Sequence, residues 1–171
     1  MAAKYLHYTY DQLNTFCMDA FQKFGFSESE ARIISDVLLL SDLYGIESHG
    51  MQRLVRYHKG IEKGMIDVHA KPEIVHETPV SAVIDAHDAM GQLVSHQAME
   101  LAIEKAKKTG MAIVSVRNSN HFGIAGYYAK MACDQGLVGM AMTNSEAIMV
   151  PTYARMAMIG SNPIALAVPA E

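Results

Sequence analysis

The chain has 171 residues and half of them are hydrophobic, so it is about one domain in size and can bury a core. A net charge of −4 excludes the basic field that binds nucleic acid phosphates. No apolar run approaches the roughly 18 residues of a membrane span, and MAAKYLHYTY lacks a signal peptide's apolar stretch, so we expect a cytoplasmic protein without a membrane partner. Cys17 and Cys133 lack CxxC or Cys/His spacing, which predicts reduced thiols, no disulfide and no metal site.

Helical patterns fill residues 1–72, which we predict to be a helical N-terminal region. Thr9 with Gln12 resembles a capping box, and Ser27 with Glu30 repeats the pattern. Apolar residues then recur at helical spacing after each of these starts. A third helix is expected to begin at Ser48, with the Ser48 hydroxyl as its cap, and to end at Gly64.

Residues 73–171 read instead as strands alternating with helices. Strands are expected over residues 73–77, 81–85, 111–116, 137–142 and 164–168, with helices over 91–108 and 124–135. This order predicts an α/β fold with a mainly parallel sheet and crossover helices. The runs 111–116 and 164–168 are almost entirely apolar, which is typical of buried strands.

His121 is the first candidate for chemistry. It lies in the segment RNSNHFG, which follows a predicted parallel strand and precedes a helix, where open α/β folds place ligands. A helix N-terminus disfavours the imidazolium, so the ring would be a neutral proton acceptor. Alternatively, Asn118, Ser119 and Asn120 only form a turn and His121 is a surface residue.

Ser48, His49 and Arg53 form the second candidate group, at the start of the predicted third helix. His49 and Arg53 are four residues apart and would share one helical face. A guanidinium beside a histidine suits a carboxylate that is next to a reacting carbonyl. The alternative is a capped helix whose polar face meets only water.

Polar residues also lie next to the last two predicted strands. TNSE comes after residues 137–142 and GSNP precedes residues 164–168, and such groups can hold phosphate, ribose or carboxamide, although turn chemistry explains them equally well. The other six histidines are expected on the surface, and the methionines are expected to fill core gaps. No strand is followed by GxGxxG or a Walker loop, so a dinucleotide would have to bind in another way.

Five segments in a fixed order carry a resemblance over essentially the whole chain. They are GIESHGMQRLVRY, DAHDAMGQ, NSNHFGIAGYYA, TNSEAIMVPTYA and IGSNPIALAVPA. Together they closely resemble the malate/L-lactate dehydrogenase family, which is unrelated to the Rossmann-type lactate and malate dehydrogenases. That group also contains sulfolactate, ureidoglycolate and diketogulonate dehydrogenases and cyclic ketimine reductases.

The resemblance implies a non-Rossmann oxidoreductase that uses NAD or NADP, a homodimer, and hydride transfer to or from a small 2-hydroxy or 2-keto carboxylate. His121 and His49 would be the catalytic histidines, either of which could transfer the proton, and Ser48 and Arg53 would bind the substrate. Cofactor contacts are expected from Phe122, Gly123, Thr143, Asn144, Ser145, Gly160, Asn162 and Pro163.

Three features bear on the branch and the extent of the family match. Glu146 follows TNS at a variable position, and PTYA at 151–154 replaces the Pro-aromatic-Gly-Gly of some branches, which favours a malate or sulfolactate type. Family members also continue with an Asp-Met-Ala type nucleotide motif and a Gly-Lys element. We therefore expect the N-terminal portion of such an enzyme, truncated in its α/β region. The alternatives are a ureidoglycolate dehydrogenase, a cyclic ketimine reductase, or a truncated module without catalysis.

Overall fold

Helices come first in this computed structural model, which describes residues 6–170. Helix α1 spans Tyr10–Lys23 and α2 spans Glu28–Leu43, and both begin with the predicted capping boxes, in which the hydroxyls of Thr9 and Ser27 accept from the backbone three residues on. Their apolar faces pack together around a fully buried group of side chains, which includes Cys17, Phe21, Ile34, Leu38 and Tyr57.

The predicted third helix is wrong at its start. Two short 3₁₀ turns, Glu47–His49 and Met51–Arg53, precede helix α3, which spans only Leu54–Glu62. The Ser48 hydroxyl caps no helix, because Gly50 has φ −87° and ψ −146° and interrupts the helical path between the two turns. His49 and Arg53 therefore do not share the face of one helix.

The remaining elements agree with the predicted order of strands and helices. They are β1 Glu73–Thr78, β2 Ser81–Asp85, α4 Gly91–Thr109, β3 Ile113–Arg117, α5 Ala125–Cys133, β4 Gly139–Met142 and β5 Ile164–Ala167. The α/β class and the helical layer before it are therefore confirmed.

Strand pairing is more mixed than the expected mainly parallel sheet. Strands β2 and β3 do pair in parallel across the α4 crossover, but β1 pairs antiparallel with β2 through a tight turn between Thr78 and Ser81. Strand β4 does not join this sheet but pairs antiparallel with β5 in a separate two-stranded sheet. The segment 143–163 folds back on itself, which brings β5 alongside β4 in the opposite direction.

The expectation that β3 and β5 are buried is also wrong. In β3, Val114 and Val116 pack against the core while Ile113 is 63% exposed, because β3 lies at the sheet edge and meets a helix on one face only. Helix α5 covers one face of the β4–β5 sheet. Its other face carries the cross-strand pairs Met140 with Leu166 and Met142 with Ile164, and all four side chains are exposed.

The prediction for the cysteines agrees with the structure, whereas the prediction for the methionines is partly wrong. Cys17 and Cys133 are both free thiols, as expected. Within residues 6–170, seven methionines are exposed and so do not fill the core; they are Met65, Met111, Met140, Met142, Met149, Met156 and Met158. Among the described residues, no helix is long and apolar enough to cross a membrane.

The first turn of α4 fixes the loop between β3 and α5. A Cβ on Gly91 would lie 2.2 Å from the Asn120 carbonyl oxygen and 2.6 Å from that of His121, so the helix and the loop backbone touch directly. The Asn120 amide Nδ2 lies 2.8–3.2 Å from the carbonyl oxygens of Met65, Asp88 and Ala89. The loop is therefore held from both sides, and Asn120 has a structural role in holding it.

We expect Gly91→Ala to destabilise the protein by at least about 1–3 kcal/mol, because the loop backbone must move to admit a methyl group. Gly126→Ala is the matched control, since Gly126 lies in α5 with no atom within 4 Å of an added Cβ, and alanine there should stabilise by roughly 0.5–1 kcal/mol. Urea denaturation of both variants measures the difference. Equal stabilities would contradict the proposed close packing.

Candidate active site

His49 lies on the first 3₁₀ turn, which α2 holds in place. The Asp42 carboxylate near the end of α2 accepts a hydrogen bond from the Met51 backbone N–H at 2.8 Å. A Cβ on Gly50 would overlap this carboxylate at 1.8 Å, so glycine is required at the junction of the two turns. Sequence spacing alone could not reveal this arrangement, because the cap comes from a residue of the preceding helix.

Ser48 and Arg53 are joined to His49 by direct contacts. The Ser48 hydroxyl lies 2.9 Å from His49 Nδ1, and Arg53 Nε donates to the Ser48 carbonyl oxygen at 2.6 Å. The Arg53 side chain is thereby folded back along the turns, beside the two residues predicted to act with it. The predicted group is brought together, although by turns and not by one helix.

His121 is held by α3 and by its own loop. Its Nδ1 lies 2.7 Å from the Tyr57 hydroxyl oxygen and accepts a longer 3.3 Å hydrogen bond from the Gly123 N–H. The ring is half-buried, so His121 is not the ordinary surface residue of the alternative interpretation. The Nε2 nitrogen is the ring nitrogen left for a ligand.

The two candidate histidines stack on one another. Their ring centroids are 5.3 Å apart with an interplanar angle of 27°, although one ring comes from the helical region and the other from the loop after β3. Residues from both parts of the chain thus meet at one place, which also contains Arg53 and Tyr57.

Burial and positive charge lower the pKa of both rings. Burial is the main cause that lowers the pKa of His121 to about 4, and Arg53, His49 and Arg56 lower it further. Burial also lowers the pKa of His49, with Arg53 and Arg56 adding to the effect. The neutral His121 ring agrees with the prediction, but its cause is burial beside arginines and not a helix N-terminus, since α5 begins only at Ala125.

Tyr57 and Arg56 are site residues that the sequence reasoning missed. Tyr57 is 1% exposed and its hydroxyl contacts His121, while Arg56 forms an ion pair with Glu146 at 3.6 Å. The signal was present for Tyr57, which lies four residues after Arg53 on a buried face, because a buried tyrosine hydroxyl normally needs a hydrogen-bond partner. Arg56 gave no comparable signal.

Phe122 and Gly123 continue the His121 loop toward α5. The Phe122 ring stacks on Tyr128 with centroids 5.1 Å apart, and the Tyr128 hydroxyl donates to the Phe122 carbonyl at 2.5 Å. Gly123 has φ +83° and is packed against Val37, where a Cβ would come within 2.4 Å. Both residues therefore hold the loop, whatever they bind.

The segments 143–146 and 160–163, which we call the strand-end loops, form a single polar unit at the ends of β4 and β5. Ser145 N–H donates to Asn162 Oδ1 at 2.9 Å, and Asn162 N–H donates to Ser145 Oγ at 3.3 Å. Thr143 N–H reaches the Pro163 carbonyl, and the Thr143 hydroxyl donates to the Asn144 carbonyl. Gly160 packs so closely that a Cβ would lie 2.3 Å from Ser145 Oγ.

One ion pair links the strand-end loops to an arginine near the histidine pair. Glu146, next to Ser145, meets Arg56, and Arg56 is close enough to lower the pKa of both His49 and His121. Exposed hydroxyl and amide groups in these loops are suited to ribose hydroxyls or a carboxamide, so the residues present fit a nicotinamide nucleotide.

The other histidines lie apart from this cluster. His7, His69, His76 and His87 are exposed as expected, whereas His58 and His96 are half-buried and face Glu62 and Glu100 on their own helices. A cavity between α2, the segment 67–72 and α4 contains none of the predicted site residues. Among residues 6–170, no group of three or more His, Cys, Asp and Glu side chains could hold a metal ion.

Comparison with known proteins relates the sequence and fold of the chain to one family of dehydrogenases. The family model described as malate/L-lactate dehydrogenase matches residues 8–171. A malate dehydrogenase of Pyrococcus abyssi is 48% identical over 98% of the chain and 46% of its own length, and an L-sulfolactate dehydrogenase of Methanocaldococcus jannaschii is 44% identical over 88% of the chain and 44% of its own. The solved malate dehydrogenase of Pyrococcus horikoshii OT3 superposes with a TM-score of 0.95 at 46% identity, over 98% of this chain and 48% of that one. The chain thus spans about half the length of the curated relatives it matches.

Proposed function

Because the chain belongs to the malate/L-lactate dehydrogenase family, we propose that it carries the acid–base and substrate-binding residues of a nicotinamide-dependent 2-hydroxy acid dehydrogenase. The observation that carries this proposal is the stacked His49–His121 pair beside Arg53. A 2-keto acid needs a cation for its carboxylate and a proton donor at its carbonyl oxygen, and this cluster offers both.

His121 is the proposed proton-transfer residue, and His49 is the ring that packs against it. With its pKa lowered to about 4, His121 is neutral at physiological pH and is proposed to take up the hydroxyl proton of a 2-hydroxy acid. In the reverse direction it would return that proton to the keto oxygen. We favour His121 over His49 as the proton-transfer residue because the buried Tyr57 hydroxyl contacts His121 Nδ1, whereas His49 Nδ1 contacts the exposed Ser48 hydroxyl.

Arg53 and Ser48 are proposed to bind the substrate carboxylate. Arg53 uses Nε on the Ser48 carbonyl, which orients its two terminal nitrogens for a bidentate contact with a carboxylate. The Ser48 hydroxyl would bind the substrate beside Arg53.

The second guanidinium, Arg56, favours a substrate with two anionic groups. Arg56 lies three residues after Arg53 and acts electrostatically on the same two histidine rings. Its ion pair with exposed Glu146 is weak in water, so a second carboxylate or a sulfonate could replace Glu146. This supports a malate-like or sulfolactate-like substrate over a lactate-like one, in line with the names of the two relatives.

NAD or NADP is the proposed cofactor, and it would supply the hydride acceptor. We assign its contacts to Phe122 and Gly123 of the His121 loop and to the strand-end loop residues Thr143, Asn144, Ser145, Gly160, Asn162 and Pro163. Residues 1–72 would then provide the substrate cations and 73–171 the proton-transfer and cofactor residues. A homodimer in the cytoplasm remains the expectation from the family resemblance.

Replacement of His121 by alanine should lower kcat for malate oxidation by about 10²–10⁴-fold, because it removes the proposed general base. Cofactor binding, followed by NADH fluorescence, should change little. His76→Ala removes an exposed histidine of β1 and serves as the control that keeps the normal rate. If His121→Ala turns over at a near-normal rate, the assignment is wrong.

Replacement of Arg56 by glutamine should lower kcat/KM for malate by about tenfold or more while changing that for lactate much less, because only malate has a second carboxylate. Arg32→Gln removes an exposed arginine paired with Glu28 on α2 and is the matched control. An equal loss with both substrates would show that Arg56 has no role in selecting a second anionic group.

The alternative reactions on the same scaffold are separated by substrate. A cyclic ketimine reductase would reduce a cyclic imine in preference to oxaloacetate, and a ureidoglycolate dehydrogenase would prefer ureidoglycolate to malate. A module without catalysis would give no fluorescence change with NADH or NADPH.

A further inference from the structure

The carboxylate of Asp85 accepts several hydrogen bonds at the end of β2, away from the histidine pair. Asp85 is the last residue of β2 and is 5% exposed, and Arg117, the last residue of β3, lies beside it in register. Asp85 Oδ2 accepts from Arg117 Nε at 2.8 Å, and both carboxylate oxygens accept from Asn118 Nδ2 at 3.0 and 3.1 Å. The His87 backbone N–H donates to Oδ1 at 3.2 Å. This buried carboxylate therefore joins the segment after β2 to the segment after β3.

Two of the residues that bind Asp85 have a backbone conformation that is costly for their type. His87 has φ +48° and Asn118 has φ +51°, and neither is a glycine. Residues with a Cβ keep such left-handed conformations only where neighbouring contacts compensate for the strain. Here the same carboxylate binds the backbone of His87 and the side chain of Asn118. Asp85 thus stabilises a strained residue in each of the two segments.

The segments that Asp85 joins stay in contact as far as the His121 loop. The Asp88 N–H donates to the Asn118 carbonyl at 2.9 Å, and the Asn120 amide donates to the Asp88 carbonyl at 2.8 Å. Asn118 is the first residue after β3 and lies three residues before His121, so its backbone sets the direction in which the loop starts. Asp85 can therefore act on His121 through Asn118.

We propose that Asp85 is a positioning residue for His121, on which it acts by holding Asn118 in its left-handed conformation. The loop that starts at Asn118 then brings the His121 ring against His49 and Tyr57. This inference rests on the proposed acid–base role of His121. Such a role needs a ring that is held within a narrow range of positions, because a displacement of about 1 Å can cost a large part of the rate.

The positioning role requires the negative charge of Asp85. A carboxylate offers only acceptor atoms, and the three groups that bind it are donors. The Asn118 amide is the main cause that lowers the pKa of Asp85, and the His87 N–H and Arg117 lower it further, although burial opposes them. In Asp85→Asn the new NH2 group would face Arg117 Nε in one orientation and the His87 N–H in the other. Either orientation places donor against donor, so the grip on Asn118 is weakened.

The test is the nuclear Overhauser cross-peak between the ring protons of His121 and His49, in protein that is deuterated except at histidine. The stacked rings, with centroids 5.3 Å apart, should give this cross-peak in the unchanged protein. In Asp85→Asn it should weaken by about threefold or more, because its intensity falls with the sixth power of distance and a shift of about 1 Å suffices. Glu77→Gln is the matched control, since Glu77 pairs with the buried Lys105 at 2.7 Å near the other end of β2. That variant should lose stability and keep the cross-peak.

Asn118→Gly tests the same link by a variant that removes no charge. Glycine adopts φ +51° without strain, so the backbone is preserved while the amide that binds Asp85 is removed, and the cross-peak should again weaken. An unchanged cross-peak in Asp85→Asn or in Asn118→Gly, or an equal loss in Glu77→Gln, would overturn the proposal. These results require neither cofactor nor turnover. They are therefore distinct from an active His121→Ala variant, which would overturn the proposed function itself.

Discussion

The direct contact between the start of α4 and the loop that carries His121 is the constraint on which the site depends. Gly91 lets the helix touch the backbone of Asn120 and His121, and the Asn120 amide ties the same loop to carbonyls of Met65, Asp88 and Ala89. With the loop fixed in this way, His121 meets Tyr57 on one side and stacks on His49 on the other. The fold thus delivers one ring from each half of the chain to the same point.

Placing two histidines beside two arginines has an electrostatic consequence. A protonated ring here would be partly desolvated and would face Arg53 and Arg56, so the pKa of both rings is lowered. The same positive charge would attract the carboxylate of the proposed 2-hydroxy acid substrate. One arrangement would therefore keep the proposed base unprotonated and draw the proposed substrate toward it. Substrate binding would in turn offset part of the arginine charge and make it easier for His121 to accept a proton.

Local patterns in the sequence predicted most helices and strands, whereas most contacts between distant segments could not be predicted from it. Thr9 and Ser27 cap helices through neighbours three residues away, so the sequence contains the whole interaction. The turns around His49 instead depend on the Asp42 carboxylate and on Gly50, and the path of residues 143–163 depends on pairing between β4 and β5. Periodicity also could not tell that β3 lies at an edge with Ile113 exposed. His121, His49, Ser48 and Arg53 were chosen as candidates from residue type, spacing and resemblance, while the contact of Tyr57 with His121 became visible only in the structure.

The most direct test of this account is an NMR pH titration of the His121 Cε1–H resonance, assigned by its loss in His121→Gln. Burial beside two arginines predicts that the resonance stays at its neutral position as the pH falls past 6 and moves only near pH 4. A midpoint near 6.5, the ordinary value for a histidine in water, would show that the ring is neither desolvated nor close to the arginines. The proposed acid–base site would then be contradicted at its central residue.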